Sequence, residues 1–355
     1  MAMDSPADIK SFALRRAREL GLVLAGIAPA GPAGHGQEFR QWLAEGRQGS
    51  MAYMARHLEK RLDVRVEYPW ARSVLCVAGS YAPPDARADG PIARYARGRD
   101  YHKVLKGLCH QLADELIERV PGLRTRTCTD TAPLLERSYA VAGGLGWIGK
   151  NTCLIHPGLG SYLLLAEIVL SVSLPADEPM ADHCGSCGAC LQACPTGALF
   201  APHRLDARLC ISWATIEHPG PLVEQSPAEQ PANLPGPQFP GGAFDTHGQL
   251  FGCDICQSVC PHNQAVTPGL PRLVEHLPLA GVDVQTVLAW SPEEWDLATR
   301  SSASRRATYP MFLRNACLVA GRERLADTQP LLLRLAEHAD PAVASSARWA
   351  IAQFV

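Results

Sequence analysis

Apolar residues near the start of the chain recur every three or four positions, so Ile9, Phe12, Ala13, Ala17 and Leu20 share one helical face. Ser5 stands ahead of that face as an N-cap, Asp8 suits the N-terminal dipole, and Gly21 ends the helix. Leu22–Ala28 and Ser73–Tyr81 predict strands, the second stopped by Pro83-Pro84. Leu105, Leu108, Cys109, Leu112 and Leu116 mark a helix ending before Pro121-Gly122. Leu123–Cys128 predicts a strand that delivers Asp130 into a loop, and Pro133–Ala142 a helix. The segment GGLGWIGKN then leads into strands near Thr152–Ile155 and Ser161–Val172. Helices and strands alternate, so residues 1–175 read as one α/β-type domain with a mixed sheet.

Residues 176–270 hold a cysteine-rich unit, interrupted over 218–242 by a stretch rich in Pro, Gly and Gln that reads as a flexible insertion. Beyond it, residues 271–355 turn helical, with apolar helical spacing over Pro310–Ala320, Pro330–Ala339 and Val343–Phe354. Short turns between helices of this length suggest a HEAT-like repeat. The whole is an α+β or mixed α/β chain of two or three domains.

Composition narrows the class. An apolar fraction of 47% fits a globular protein, and the longest apolar run, Tyr162–Val172, is broken by Glu167 and Ser171. No window matches the ~18 apolar residues of a membrane span, so no membrane partner is expected. The first residues carry no apolar signal core, which points to a cytoplasmic chain. Thirteen cysteines there are better read as ligands, catalysts or core residues than as disulfides. Net charge is −2, but Arg56–Lys106 holds eleven Lys/Arg against six Asp/Glu, and Arg300–Arg324 six Arg against one Glu. These stretches read either as solvated surface or as phosphate-contacting patches; charge alone does not choose.

The chemistry is carried by cysteine spacing. Cys184-x2-Cys187-x2-Cys190-x3-Cys194-Pro195 matches the bacterial ferredoxin run, in which three thiolates wrap one [4Fe–4S] cube and the fourth leaves toward a second. The partner run, Cys253-x2-Cys256-x3-Cys260-Pro261, lacks one cysteine. Bookkeeping gives Cys184, Cys187, Cys190 and Cys260 to one cluster and Cys194, Cys253 and Cys256 to the other, with Cys210 the nearest fourth ligand. Paired CxxC also binds zinc, but the Cys-Pro endings and interleaved runs favour iron–sulfur. Cys76, Cys109, Cys128, Cys153 and Cys317 sit in apolar patterns and read as core.

Two clusters need an electron acceptor, and motif reading does not name one. There is no Walker loop, GGLGWIG lacks the GxGxxG spacing, and both Asp100-Tyr101-His102 and Asp245-Thr246-His247 fail the D-x-H-x-x-G corrinoid pattern at its glycine. Tyr95, Tyr101 and His102 are placed either to stack on a base or corrin or simply to pack.

Several motifs in one order do carry a resemblance: DTAPLLERSYAVAGGLGWIGKNTCLI, GSYLLLAEIVLS, the ferredoxin run, CISWATIEH and GCDICQSVCPHN. Together they resemble the epoxyqueuosine reductases over nearly the whole chain. The resemblance implies reduction of epoxyqueuosine to queuosine at the wobble position of tRNA. It implies two [4Fe–4S] clusters, cobalamin, an unidentified low-potential electron donor, and a monomer. It gives Asp130 as proton donor, with burial raising its pKa, while a loop cap stays the alternative. It gives Arg61, Asp130, Asn151, Thr152, Cys153, Ser212 and Asp254 as cobalamin contacts, and Cys210 as the missing ligand. His262 replaces a common Trp, and Gly321-Arg322 a usual Gly-Asn. The rival readings are reductive dehalogenation of a small organic and a non-enzymatic electron carrier.

Overall fold

The computed structural model describes residues 5–82, 90–224, 242–264, 268–274, 277–279 and 281–354. The expected insertion over 218–242 falls largely on residues 225–241, outside the described residues.

Strands β1 (Leu24–Pro29), β2 (Ser73–Ser80), β3 (Thr125–Cys128) and β6 (Leu163–Leu170) form one sheet in the order β1-β2-β6-β3. Trp147–Ile148 (β4) and Leu154–Ile155 (β5) form a separate two-stranded hairpin. Every pairing in the four-stranded sheet is antiparallel, which corrects the mixed sheet expected from alternating helices and strands. Helix–strand alternation does not fix strand direction. The connection from β1 to β2 carries no crossover that returns the strand parallel, and β6 inserts between β2 and β3 against both.

The sheet is covered on both faces. Leu75, Val77, Ile168 and Leu170 pack against helices Pro6–Glu19 and Tyr101–Arg119 through Ile9, Ala13, Leu105, Cys109 and Leu112. On the other face, Val74, Cys76, Ala78 and Val169 meet Tyr139 and Ala140 of helix Glu136–Ala142. This two-residue alternation explains why β2 is buried along its length. Gly26 is required: a Cβ there would lie 2.0 Å from the Gly143 carbonyl. Helix Pro6–Glu19 starts with the expected Ser5–Asp8 capping box.

Helices Tyr309–Arg322, Gln329–Leu335 and Pro341–Ala352 share a core with Ile92, Leu250 and Phe251. Here the basic-patch reading needs correction. Arg314 is wholly buried and donates to the carbonyls of Ala214 (2.7 Å), His218 (2.5 Å) and Gly220 (2.7 Å). Arg300 and Arg305 both pair with Asp296, Arg306 with Glu217, and Arg322 with Asp245. The Arg300–Arg324 stretch is therefore much less positive than its residue count suggests. Arg314 locks the C-terminal helices to the segment that follows Cys210. Arg314→Ala should lower unfolding free energy by about 3 kcal/mol or more, since three buried carbonyls lose a charged donor. Chemical denaturation beside Arg305→Ala, which should change little, checks the contrast.

Candidate active site

The site is built where β3 ends. The chain leaves Cys128, passes buried Thr129 and turns at Asp130, whose φ of +55° is left-handed. This presents the Asp130 side chain, 56% exposed, toward His102. His102 reaches it from the first turn of helix Tyr101–Arg119: Nε2 lies 3.1 Å from Asp130 Oδ2, and Nδ1 lies 2.8 Å from Asp100 Oδ1. Asp100 is itself the N-cap of that helix. Tyr101 stacks on His102 with ring centroids 4.1 Å apart, and Tyr95 meets Tyr101 edge-on at 6.2 Å.

An imidazole held between two carboxylates must donate through both nitrogens, so it carries both protons. The carboxylates of Asp100 and Asp130 accordingly push His102 up to about 9. In return the His102 hydrogen bond holds the Asp130 carboxyl below the usual range, outweighing its burial. In this structure the proton of the pair rests on His102.

Arg61 is brought to the same place. It donates to the Tyr53 carbonyl at 3.4 Å, its buried Nε has no hydrogen-bond partner, and it feels the charges of Asp130 and Glu136. Thr129 Oγ1 is likewise buried without a partner. Arg306, from the C-terminal half, acts on Asp130 by its charge and is bidentate to Glu217 and stacked over Tyr53 at 5.3 Å.

The turn between β4 and β5 joins the helix behind the Asp130 loop to the cysteines. Lys150 Nζ donates to the carbonyls of Gly185 (2.6 Å) and Cys187 (2.7 Å), inside the first cysteine run. Asn151 Nδ2 donates to the Cys256 carbonyl at 3.4 Å, inside the second. Arg137 donates to the Thr152 carbonyl, tying the same turn to helix Glu136–Ala142. Cys153 lies against Cys256, so it is a neighbour of the cysteine site rather than the plain core residue expected.

The thiols fall into two groups. Burial pushes Cys260 up most, and the thiols of Cys184, Cys190 and Cys187 add to it; Cys184 and Cys187 likewise act on Cys190. Separately, Cys210 and Cys194 act on Cys253, Cys253 and Cys210 on Cys256, and Cys194 on Cys210. Among the described residues no three His, Cys, Asp or Glu side chains converge tightly enough for a single metal ion. Ser212 sits by Cys210 rather than by Asp130. Asp254 is buried and accepts the Arg94 N–H at 2.7 Å, so it braces the second cysteine run. A network of Ser161, Gln257 and Asn263 docks that run onto the start of β6.

Two stretches match known family descriptions: "Epoxyqueuosine reductase QueG, DUF1730" over residues 61–131, and "4Fe-4S double cluster binding domain" over 183–234. An epoxyqueuosine reductase of Xanthomonas campestris pv. campestris is 36% identical over 99% of this chain and 98% of its own. The chain belongs to the epoxyqueuosine reductase family. The Escherichia coli K12 epoxyqueuosine reductase is 32% identical over 99% of this chain and 92% of its own. An epoxyqueuosine reductase crystallised with an epoxyqueuosine-modified tRNA-Tyr stem loop superposes with a TM-score of 0.84 at 28% identity, over 98% of this chain and 90% of that one. As a member of the epoxyqueuosine reductases the chain is an oxidoreductase with a double-cluster domain, and the electron-carrier and dehalogenase readings fall away. No helix among the described residues is long and apolar enough to cross a membrane.

Sequence reading missed Asp100 and Glu136 at this site. Asp100 carries the signal of an N-cap just ahead of an amphipathic helix, and Glu136 lies inside the quoted DTAPLLER run. The His102 geometry has a direct check. Between its ordinary 6.5 and about 9 only the folded chain keeps the imidazolium proton, so this stabilisation is full below 6.5 and fades as pH rises through 9. NMR titration of the His102 ring should show a midpoint near 9, falling toward 6.5 in Asp100→Asn/Asp130→Asn.

Proposed function

We propose that this chain reduces the epoxide of epoxyqueuosine at the wobble position of tRNA, giving queuosine. The observation that carries this reading is the Gly149–Cys153 turn, which ties the helix behind the Asp130 loop to both cysteine runs in a chain similar end to end to epoxyqueuosine reductases. The epoxide oxygen leaves as water, which consumes two electrons and two protons.

In this reading Cys184, Cys187, Cys190 and Cys260 hold one [4Fe–4S] cluster, and Cys194, Cys210, Cys253 and Cys256 the other. Cys187 is exposed, so the first cluster is the entry for electrons from a low-potential donor. The unpartnered Arg61 Nε and Thr129 Oγ1 fit a corrinoid rich in amide groups, and with the Asn151–Cys153 turn they would hold cobalamin. Bound cobalamin would supply a centre that gathers electrons one at a time and delivers them as a pair. Ser212 and Asp254 serve the cluster side instead.

The side chains manage the protons. His102 stores one on its imidazolium, Asp130 receives it and passes it to the departing oxygen, and Asp100 keeps the ring aligned. The wobble base, extruded from its loop, enters past Tyr53 and Arg306. A tRNA substrate puts the reaction in the cytoplasm. Residues 1–175 form the catalytic unit, 176–270 the cluster unit and 271–355 a helical, HEAT-like unit, all within a monomer.

Anaerobically purified protein should contain about eight irons and, after reconstitution, bind cobalamin. Cys210→Ala should retain about four irons, those of the Cys184 set. An epoxyqueuosine stem loop should lose one oxygen by mass spectrometry in the presence of a chemical reductant. An unchanged substrate contradicts the reaction; eight irons in Cys210→Ala contradict the ligand set.

A further inference from the structure

We propose that Glu136 is a positioning residue for Asp130, and that Glu136 and the wholly buried Glu167 form a carboxyl pair holding one shared proton behind the Asp130 loop. This deepens, and rests on, the reading of Asp130 as the group that faces the reacting oxygen.

Glu167 lies in the middle of β6 with none of its surface exposed, between Cys76 on β2 and Cys128 on β3 in the strand register. Neither of its carboxyl oxygens accepts from a donor among the described residues, and the polar group beside it is the carboxyl of Glu136. An ionised carboxylate there would lack both water and a cation, a cost of several kcal/mol that protonation removes. Glu136, at the start of helix Glu136–Ala142, brings its carboxyl alongside from the covering layer and on its other side accepts the Asp130 N–H. That bond fixes the left-handed backbone of Asp130, which a residue with a side chain adopts at a cost.

The surroundings are asymmetric. Arg61, Arg137, His102 and Asp130 act on Glu136, whereas Glu167 is acted on by the carboxyls of Glu136 and Asp130. The remaining titratable groups near Glu167 are the buried thiols of Cys76, Cys109 and Cys128. Burial and the Asp130 charge push Glu136 up, against the Asp130 N–H, Arg137 and His102 that pull it down, whereas burial and the neighbouring Glu136 carboxyl push Glu167 up with nothing to oppose them. Two acids so close cannot both ionise at neutral pH. The proton belongs mainly to Glu167, leaving Glu136 free to accept from Asp130.

Infrared spectra of the full-length holoprotein at pH 7 test the proton. A protonated-carboxyl stretch that shifts in D2O should be present, should vanish in Glu167→Gln, and should persist at a new frequency in Glu136→Gln. Its absence from the wild type, or its survival unchanged in Glu167→Gln, overturns the shared proton. Amide exchange at Asp130 tests the positioning: protected in the wild type and in Glu136→Gln, whose amide oxygen can accept the same N–H, and fast in Glu136→Ala. Turnover of the epoxide stem loop should fall about 10- to 100-fold in Glu136→Ala at unchanged KM, iron and cobalt, and recover in Glu136→Gln. Equal protection in all three proteins, or a Gln variant no better than Ala, overturns the positioning role. Should the wild type leave the epoxide untouched, the proposed function fails, while the infrared and exchange results still decide the carboxyl pair.

Discussion

The molecule turns on a five-residue turn, Gly149–Cys153, held from three sides. Lys150 grips two carbonyls of the first cysteine run, Asn151 one carbonyl of the second, and Arg137 holds Thr152 from the helix behind the acid loop. A redox site fed by clusters needs short, fixed spacing between electron carriers and the reacting group. Here that spacing is set by hydrogen bonds to backbone carbonyls rather than by one rigid element. Segments far apart in sequence then share one frame: the sheet delivers Asp130, and the two cysteine runs pack against the β4–β5 hairpin beside it.

A second constraint is electrostatic. Asp100, Asp130, Glu136 and Glu167 gather around one loop, and the cations that reach them are few. The structure answers with protons. His102 stays charged between two carboxylates, and burial with the Glu136 carboxyl beside it favours the protonated form of Glu167. Negative charge around the Asp130 loop is thereby kept low; in the proposed reaction those protons lie beside the group that faces the departing oxygen. The C-terminal helices are joined to this frame through buried Arg314, which fixes the backbone just beyond Cys210. Damage to those helices should therefore be felt at the thiols as well as at any substrate surface.

Much of this was legible in the chain. The expected division of the thiols came from spacing alone, because a cube imposes its own geometry on a short loop. The Ser5–Asp8 cap, the period-two burial of β2 and the helices at 309–322 and 341–352 follow from local patterns. Strand direction did not, because it is decided by which edges meet in space. Arg314 was counted as surface charge, although its neighbours in YPMFLRNACLVAG are apolar on both sides and already hinted at burial. Glu167 registered only as a break in an apolar run; a lone acid in a strand buried on both faces is itself a signal. Asp130 was found by resemblance, but its ionisation depends on His102, 28 residues earlier, a contact that only the fold creates.

The central claim is that Asp130 hands the proton to the departing epoxide oxygen. Its most direct test is the rate of epoxide reduction by Asp130→Asn on a modified anticodon stem loop, at cobalt and iron occupancy matched to the wild type. The account predicts a fall of roughly 10²–10⁴-fold, with cobalamin and both clusters retained and chemically reducible. A wild-type rate at full occupancy would contradict it and remove Asp130 from the proton path.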